Sequence, residues 1–240
     1  MIENAAMEPE VEDAARLLTT MGARVTGAGT RTITVEGVDR LAGTGQAPHA
    51  IVPDRIEAGT YLAAGAITGG DVTVTHTHAH DLGAFLDALS RAGVGVEVAA
   101  DSVRVHGGGR LGAVDIETAP HPGFPTDLQA QFLALMTQAE GTSRLVETIF
   151  ENRFLHAVEL ARLGADVRVD GRTAVVRGPA ALEGAPVTAS DLRASAALVL
   201  AGLVARGETR VRRIYHLDRG YAAMDGRLRA LGASVERVDG

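Results

Sequence analysis

A proline-rich segment leads into an aspartate that could carry acid–base chemistry. Residues 118–126 contain three prolines, and Asp127 follows them at the start of a leucine-rich stretch. A carboxylate in this position has two interpretations. It can cap the first turn of a helix by accepting backbone N–H groups, or it can orient and deprotonate the hydroxyl group of a substrate. The residues alone leave both interpretations open.

Four arginines lie near the starts of predicted helices and could together bind a small anion. They are Arg55, Arg153, Arg193 and Arg219. The chain contains no lysine, so all 23 basic residues are arginines. A phosphate or carboxylate would therefore be held by guanidinium groups, backbone N–H groups or helix N-termini. The simpler alternative for each arginine is a surface ion pair with a neighbouring acid.

The composition excludes several classes of function. With no cysteine, the chain offers no thiolate nucleophile and no cysteine-ligated metal, and with no lysine it offers no Walker-type phosphate loop and no Schiff base. A net charge of −7 argues against a broad surface for nucleic acid or anionic membrane. No apolar run approaches a membrane span of about 18 residues. Residues 1–5 lack the features of a signal peptide, so we expect a cytoplasmic protein.

Three histidines alternate with other residues in a short segment. His76, His78 and His80 would share one face if the segment were a strand, and Asp81 could add a fourth ligand for zinc. A metal-dependent hydrolase is therefore one alternative function. The simpler interpretation is an exposed loop in which Asp81 caps the next helix, and we expect neither a metal nor a cofactor.

A repeated unit must position these residues. Glycines 22, 93, 164 and 232 each end a leucine-rich stretch, at spacings of about 70 residues. Each glycine is expected to be the left-handed C-cap of a helix. The alternating apolar pattern predicts two short strands after each of the first three glycines and one strand, 235–238, after the fourth.

A second helix is predicted before each of the last three glycines. These helices cover residues 57–67, 128–140 and 192–205, each with an aspartate at its start: Asp54, Asp127 and Asp191. A strand follows each helix, so the full unit is βαβαββ and the fold is α/β. The cores are expected to be aliphatic, because aromatic residues make up only 3% of the chain.

The first copy of the unit is incomplete. Residues 1–45 match only the second half of a unit, whereas three units fit into 46–240. We therefore predict that 1–45 end a first domain, that 46–240 form a three-unit domain and that residues 43–48 link the two. The missing half-unit implies an upstream half or a complementary chain.

Several strings of residues resemble one family. Phe124–Gln131 reads FPTDLQAQ, Glu147–Phe154 reads ETIFENRF, Asp191–Ala196 reads DLRASA and Ile214–Tyr221 reads IYHLDRGY. In this order they resemble the UDP-N-acetylglucosamine 1-carboxyvinyltransferases of the enolpyruvyl transferase family, over essentially the whole chain. The resemblance implies domains of three such units, each an inside-out α/β barrel with helices at the centre and sheets outside.

The same resemblance implies a reaction. Members transfer the enolpyruvyl group of phosphoenolpyruvate to the 3-hydroxyl group of UDP-N-acetylglucosamine and release phosphate, the first committed step of peptidoglycan synthesis. Carried over to this chain, Asp127 is the carboxylate that contacts and deprotonates that hydroxyl group. Ile149, through its backbone, and Phe150 beside it are expected to contact the nucleotide sugar.

The resemblance also implies roles for several arginines and for a general acid. Arg193 and Arg219 resemble arginines that bind phosphoenolpyruvate, with Arg153 and Arg55 as further candidates. The flexible loop that carries a Cys or Asp general acid, and an early Lys-Asn pair, have no counterpart here. We therefore expect the isolated chain to be incomplete for catalysis. The alternative is a non-catalytic relative that still binds nucleotide sugar.

Overall fold

Helices and strands alternate along the chain in the order that the repeat predicts. The structure is a computed structural model that describes residues 1–45 and 48–238. Within these ranges the helices are α1 (Pro9–Thr20), α2 (Arg55–Thr68), α3 (Gly83–Arg91), α4 (Gln129–Met136), α5 (Leu155–Arg162), α6 (Leu192–Val204) and α7 (Met224–Ala230). The strands are β1 (Ile2–Glu3), β2 (Arg24–Thr26), β3 (Thr32–Glu36), β4 (Asp71–Thr75), β5 (Gly95–Val98), β6 (Ser102–His106), β7 (Ile116–Glu117), β8 (Gly141–Val146), β9 (Asp166–Asp170), β10 (Thr173–Gly178), β11 (Pro186–Thr188) and β12 (Arg210–Arg212).

Each sheet belongs to one copy of the unit. The strand orders are β1-β3-β2, β4-β6-β5, β7-β8-β10-β9 and β11-β12. Parallel pairs, β7 with β8 and β11 with β12, enclose a helix, whereas the hairpins are antiparallel. The predicted βαβαββ order is realised in full between β7 and β10. The fold class predicted from the sequence is confirmed.

One predicted strand does not form. Residues 235–238 are not a strand. In the other copies the first strand of a hairpin pairs with the second, as β9 does with β10. Residues 235–238 pair with no strand of the described chain, so their backbone groups join no ladder. The prediction of a strand at 235–238 is therefore wrong.

Three helices form the centre of the molecule. All eight residues of α4 are buried, and α2 and α6 are buried along most of their length. The three helices pack on one another, while the sheets lie outside them. Such helices are apolar on every side because they have no solvent face. None of the described helices has the length and apolar character needed to cross a membrane.

The marker glycines end their helices as predicted. Gly22, Gly93, Gly164 and Gly232 have φ of 98°, 89°, 95° and 97°. In each copy the next residue donates its N–H to a carbonyl five positions earlier, as Val94 does to Leu89 at 3.0 Å. This is the Schellman closure, and its left-handed residue favours glycine.

The helix starts differ from one another. Asp54 caps α2 and Asp191 caps α6, each accepting two backbone N–H groups. The helix predicted at 128–140 is shorter, because a 3₁₀ turn at Thr126–Leu128 precedes α4 and the helix ends at Met136. Asp127 lies within that turn and caps nothing.

The N-terminal half-unit contacts the rest of the chain through two ion pairs. Arg55 donates to Glu10 of α1 at 3.0 and 3.2 Å, and His49 lies 3.1 Å from Asp13. Burial would raise the pKa of Glu10, but the hydrogen bonds and charge of Arg55 lower it below its ordinary value. The predicted domain boundary between residues 45 and 46, and the centre of the predicted linker, fall at Gln46 and Ala47 outside the described residues. The boundary stays a prediction.

The C-cap geometry can be tested at Gly93. A Cβ there would meet only the Arg110 carbonyl oxygen at 3.4 Å, so backbone strain is the main cost of alanine. Gly93→Ala is expected to lower the free energy of unfolding by about 1–2 kcal/mol. Gly83→Ala is the matched control, because Gly83 has helical angles and open space around it. It is expected to stabilise by roughly 0.5–1 kcal/mol. Urea denaturation measures the free energy of unfolding of both variants. Equal changes would contradict the assignment of Gly93 as a left-handed C-cap.

Candidate active site

The carboxylate of Asp127 is held by two arginines from different parts of the chain. Arg153 donates its Nη2 to Oδ1 at 2.7 Å. Arg193 donates its Nε and Nη2 to Oδ2 at 3.1 and 2.9 Å. The side chain of Asp127 is 36% exposed, against 24% for Arg153 and 14% for Arg193. A ligand can therefore reach the carboxylate, while the arginines approach it from the protein side.

A buried polar network fixes the orientation of Arg193. Its Nη1 donates to the Tyr221 hydroxyl at 3.2 Å, and that hydroxyl lies 2.9 Å from Thr60 Oγ1. Gln131 of α4 donates to Thr60 at 3.0 Å. Burial alone would lower the pKa of Arg193, but Tyr221 and Asp127 together raise it above its ordinary value. The guanidinium thus keeps its charge although most of it is removed from water.

Glu147 is a residue of this site that sequence reasoning did not single out. It is 1% exposed and accepts four hydrogen bonds. Two come from the Thr118 and Thr126 hydroxyls at 2.9 and 2.8 Å, and two from the Ile149 and Phe150 N–H groups at 2.8 and 3.1 Å. One buried carboxylate therefore joins the loop before Asp127 to the segment after β8. The glutamate that directly follows β8 (Gly141–Val146) carried no signal of these contacts in the sequence.

The proline-rich loop is anchored by aromatic packing. Phe124 is buried, and its ring centroid lies 5.4 Å from that of Phe132 in α4 and 5.9 Å from that of Phe85 in α3. Leu128 is fully buried over Gly59 of α2, where a Cβ would come within 2.5 Å of Leu128 Cδ1. These contacts hold the 3₁₀ turn from both sides, so the backbone of Asp127 is fixed by the core.

Ile149 and Phe150 border this site as exposed apolar residues. Their side chains are exposed, and the Phe150 ring lies 5.0 Å from the Arg153 guanidinium carbon. The Ile149 N–H is already donated to Glu147, whereas its carbonyl accepts no hydrogen bond within the described residues. A backbone contact from Ile149 to a ligand would therefore use the carbonyl oxygen.

Arg219 and Arg55 have different environments. Arg219 ends a 3₁₀ turn (Ile214–Arg219) two residues before Tyr221 and is exposed. Its neighbour Asp218 pairs with Arg237 instead, and no acid of the described chain lies within ion-pair distance of Arg219. Arg55 is nearly buried and spends its guanidinium on Glu10. The structure therefore brings Arg153 and Arg193 to Asp127, leaves Arg219 without an ion pair, and gives Arg55 a structural contact.

His156 is an uncharged neighbour of the site. It lies in α5, where burial lowers its pKa from 6.5 to about 4, with Arg153 acting in the same direction and Asp191 against it. His156 is therefore neutral at physiological pH and adds no positive charge beside Arg153.

The histidine segment does not form the predicted strand face. β4 ends at Thr75, and His76 has a φ of 54°, which turns the chain away from the strand. The expectation of three imidazoles in a row is therefore wrong. His78, His80 and Asp81 nevertheless come together, with all three ligand atoms within 4.8 Å of one another.

Comparison with known proteins places the chain in a class. Residues 1–228 match the family model described as EPSP synthase (3-phosphoshikimate 1-carboxyvinyltransferase). The chain therefore belongs to this family of enolpyruvyl transferases, as its motifs indicated.

Relatives with similar sequences carry a more particular name. The chain is 58% identical over its whole length to a UDP-N-acetylglucosamine 1-carboxyvinyltransferase of Solibacter usitatus, and 55% identical over 99% of its length to one of Magnetococcus marinus. It spans 57% and 56% of the lengths of these relatives.

Solved structures agree on the fold. The enolpyruvyl transferase NikO from Streptomyces tendae superimposes with a TM-score of 0.84 at 31% identity, covering 98% of this chain and 56% of that one. EPSP synthase from Acinetobacter baumannii gives a TM-score of 0.70 at 19% identity, over 94% of this chain and 55% of that one. The second likeness shows the fold alone.

Glu147 can be tested by changing one atom of its carboxylate. Glu147→Gln replaces with an NH₂ group either Oε1, which accepts three of the four hydrogen bonds, or Oε2, which accepts one. The free energy of unfolding is expected to fall by about 3 kcal/mol, since charged hydrogen bonds are lost and donors are left unpaired. Glu151→Gln is the control, because that side chain is 81% exposed and pairs only with Arg172. Urea denaturation that found no difference between the two variants would contradict the role of Glu147.

His156 predicts a specific pH dependence. Because its pKa is lower in the folded protein, the unfolded chain binds more protons between about pH 6.5 and 4. Stability is therefore full above that window and falls on acidification, by about 3 kcal/mol from this group. His156→Gln should flatten the pH profile of the free energy of unfolding within the window. A profile that His156→Gln does not alter would exclude the effect.

Proposed function

We propose that the protein to which this chain belongs transfers the enolpyruvyl group of phosphoenolpyruvate to the 3-hydroxyl group of UDP-N-acetylglucosamine, the first committed step of peptidoglycan synthesis. The observation that carries the proposal is the exposed carboxylate of Asp127 between two arginines. The names of relatives at 55% and 58% identity support it. Because the chain spans 57% of such a relative, the remaining catalytic groups are proposed to lie in an upstream half or a complementary chain.

Asp127 is proposed to be the base for the sugar hydroxyl group. An ionised carboxylate offers about four accepting positions. In Asp127 two on Oδ2 are taken by Arg193, and one on Oδ1 is taken by Arg153. A free position remains on Oδ1, where a hydroxyl group can donate and then transfer its proton. The arginines hold the carboxylate plane during this step.

The arginines are proposed to bind the anionic substrate. Phosphoenolpyruvate carries a carboxylate and a phosphate. A guanidinium group can donate two parallel N–H groups to either anion, which an ammonium group cannot do. Arg219 is exposed and without an ion pair in the described chain, so its charge is available. Arg193 uses three of its five N–H groups on Asp127 and Tyr221, which leaves two for a ligand. Arg153 neutralises Asp127 beside them, whereas Arg55 has no part in the proposal.

The addition and elimination steps need one group more. The sugar oxygen bonds to carbon 2 of phosphoenolpyruvate while carbon 3 gains a proton. Loss of that proton and of phosphate then restores the double bond. Asp127 can take the hydroxyl proton, and the acid for carbon 3 is proposed to lie in the part of the protein outside this chain. The reaction transfers no electrons to or from a cofactor, and none is proposed.

The nucleotide sugar is proposed to lie against Ile149 and Phe150. The free Ile149 carbonyl can accept a hydrogen bond from a base or sugar, and the exposed Phe150 ring offers an apolar face. Glu147 holds both residues by their N–H groups, so the surface is preformed. A cytoplasmic location is proposed because both substrates are multiply charged and do not cross membranes unaided.

The base assignment can be tested in a complete enzyme. This chain would be fused to the part of the Solibacter usitatus relative that the match leaves uncovered, and phosphate release from both substrates measured. Asp127→Asn is expected to lower kcat/KM by about 10²–10⁴-fold, since the amide cannot accept the proton. Asp71→Asn is the matched control, because Asp71 is also paired with an arginine, Arg104, but on an exposed strand. It should stay within about two-fold of the parent.

Three outcomes separate the alternatives. An Asp127→Asn fusion that keeps its activity would mean that another group is the base. A fusion without turnover, together with calorimetric binding of UDP-N-acetylglucosamine to the 240-residue chain, would favour the non-catalytic binding relative. Robust phosphate release by the 240-residue chain alone would contradict the need for groups outside it.

A further inference from the structure

A second cluster of chemically active side chains lies between β4 and α3. The Nδ1 atom of His78 is 3.5 Å from Oδ2 of Asp81, and the Nε2 atom of His80 is 3.2 Å from Oδ1 of the same carboxylate. The two imidazole rings lie nearly parallel, with centroids 5.3 Å apart and an interplanar angle of 13°. One carboxylate thus has a ring nitrogen opposite each of its oxygens.

The spacing of these atoms matches the edges of a metal coordination shell. Bonds of about 2.0–2.1 Å from zinc to nitrogen and oxygen place neighbouring tetrahedral ligands ~3.3 Å apart. The observed separations are 3.2 and 3.5 Å. Neither pair has the geometry of a hydrogen bond, although both are near hydrogen-bond distance.

The burial of Asp81 adds a reason for a cation. Its side chain is 6% exposed, and no N–H or O–H of the described residues donates to its carboxylate. Its oxygens retain some contact with solvent, and a cation beside them would add an attraction that no donor of the described residues supplies. A cation between the three side chains could be bound by both imidazoles and by the carboxylate.

The backbone already holds the three residues in place. Asp81 donates its N–H to the His78 carbonyl at 3.1 Å, which closes the turn. The Thr77 N–H is donated to the Asp101 carbonyl at 3.1 Å, which ties the turn to the next hairpin. Little conformational freedom would therefore be lost when an ion binds.

We propose that His78, His80 and Asp81 form a binding site for a divalent transition-metal ion. Two imidazoles and a carboxylate suit zinc, cobalt or nickel better than magnesium or calcium, which prefer oxygen ligands. Three protein ligands leave a position for water. Such an ion would join the end of β4 to the start of α3 and stabilise the folded chain. This site is separate from Asp127 and does not depend on the transferase proposal.

Zinc binding to the untagged 240-residue chain tests the site. After treatment with a chelator, the protein would be titrated with zinc by calorimetry, and its visible absorption recorded with cobalt. One ion per chain is expected, with a rise in Tm because the ion binds only the folded state. The double variant His78→Gln/His80→Gln should weaken binding by at least about 100-fold, since two of three ligands are lost. Both side chains are substantially exposed, so the variant is expected to fold.

His76→Asn is the matched control. His76 lies next to the cluster but outside it, and asparagine tolerates its left-handed backbone angle. This variant should bind zinc as the parent does and show the same cobalt absorption. Absence of stoichiometric zinc from the parent would overturn the proposal, as would equal affinity in the double variant.

Discussion

The site depends on the sharing of one carboxylate between two guanidinium groups. Asp127 could not lie at the edge of an apolar core without positive charge beside it, and Arg193 could not be so far buried without negative charge beside it. Because Arg153 approaches Oδ1 and Arg193 approaches Oδ2, the carboxylate plane is set from two directions. A lysine in place of Arg193 could not donate from two nitrogens to one carboxylate oxygen, as the arginine Nε and Nη2 do.

A second carboxylate, that of Glu147, holds the segments that carry the site. Glu147 contacts no arginine; it accepts only hydroxyl and backbone donors, and it binds the segments on both sides of the site. Its burial makes these bonds strong and their loss costly. The Asp127 carboxylate is therefore accessible to a ligand, whereas the Glu147 carboxylate is enclosed by its hydrogen-bond donors.

Sequence periodicity predicted the frame better than the site. The repeat, the glycine C-caps and the caps Asp54 and Asp191 could be predicted, because each rests on local backbone geometry. The family strings indicated Asp127 and Arg193, but their contact joins residues 66 positions apart, which periodicity cannot show. Glu147 was missed for the same reason, since its partners reach back 29 residues. The strand at 235–238 failed because pairing, not pattern, makes a strand.

A comparison of the three copies shows how Asp127 differs from Asp54 and Asp191. Asp54, Asp127 and Asp191 occupy corresponding places, and two of them spend one oxygen on the N–H groups of the helix that follows. In the middle copy a 3₁₀ turn precedes the helix, and no side chain caps α4. The Asp127 carboxylate is thereby released from the backbone and becomes available to arginines and to a ligand. The arginines at the corresponding helix starts also differ in their contacts. Arg55 joins α2 to α1 by pairing with Glu10, whereas Arg193 contacts Asp127. The difference between Asp127 and the two capping aspartates is a single turn of backbone.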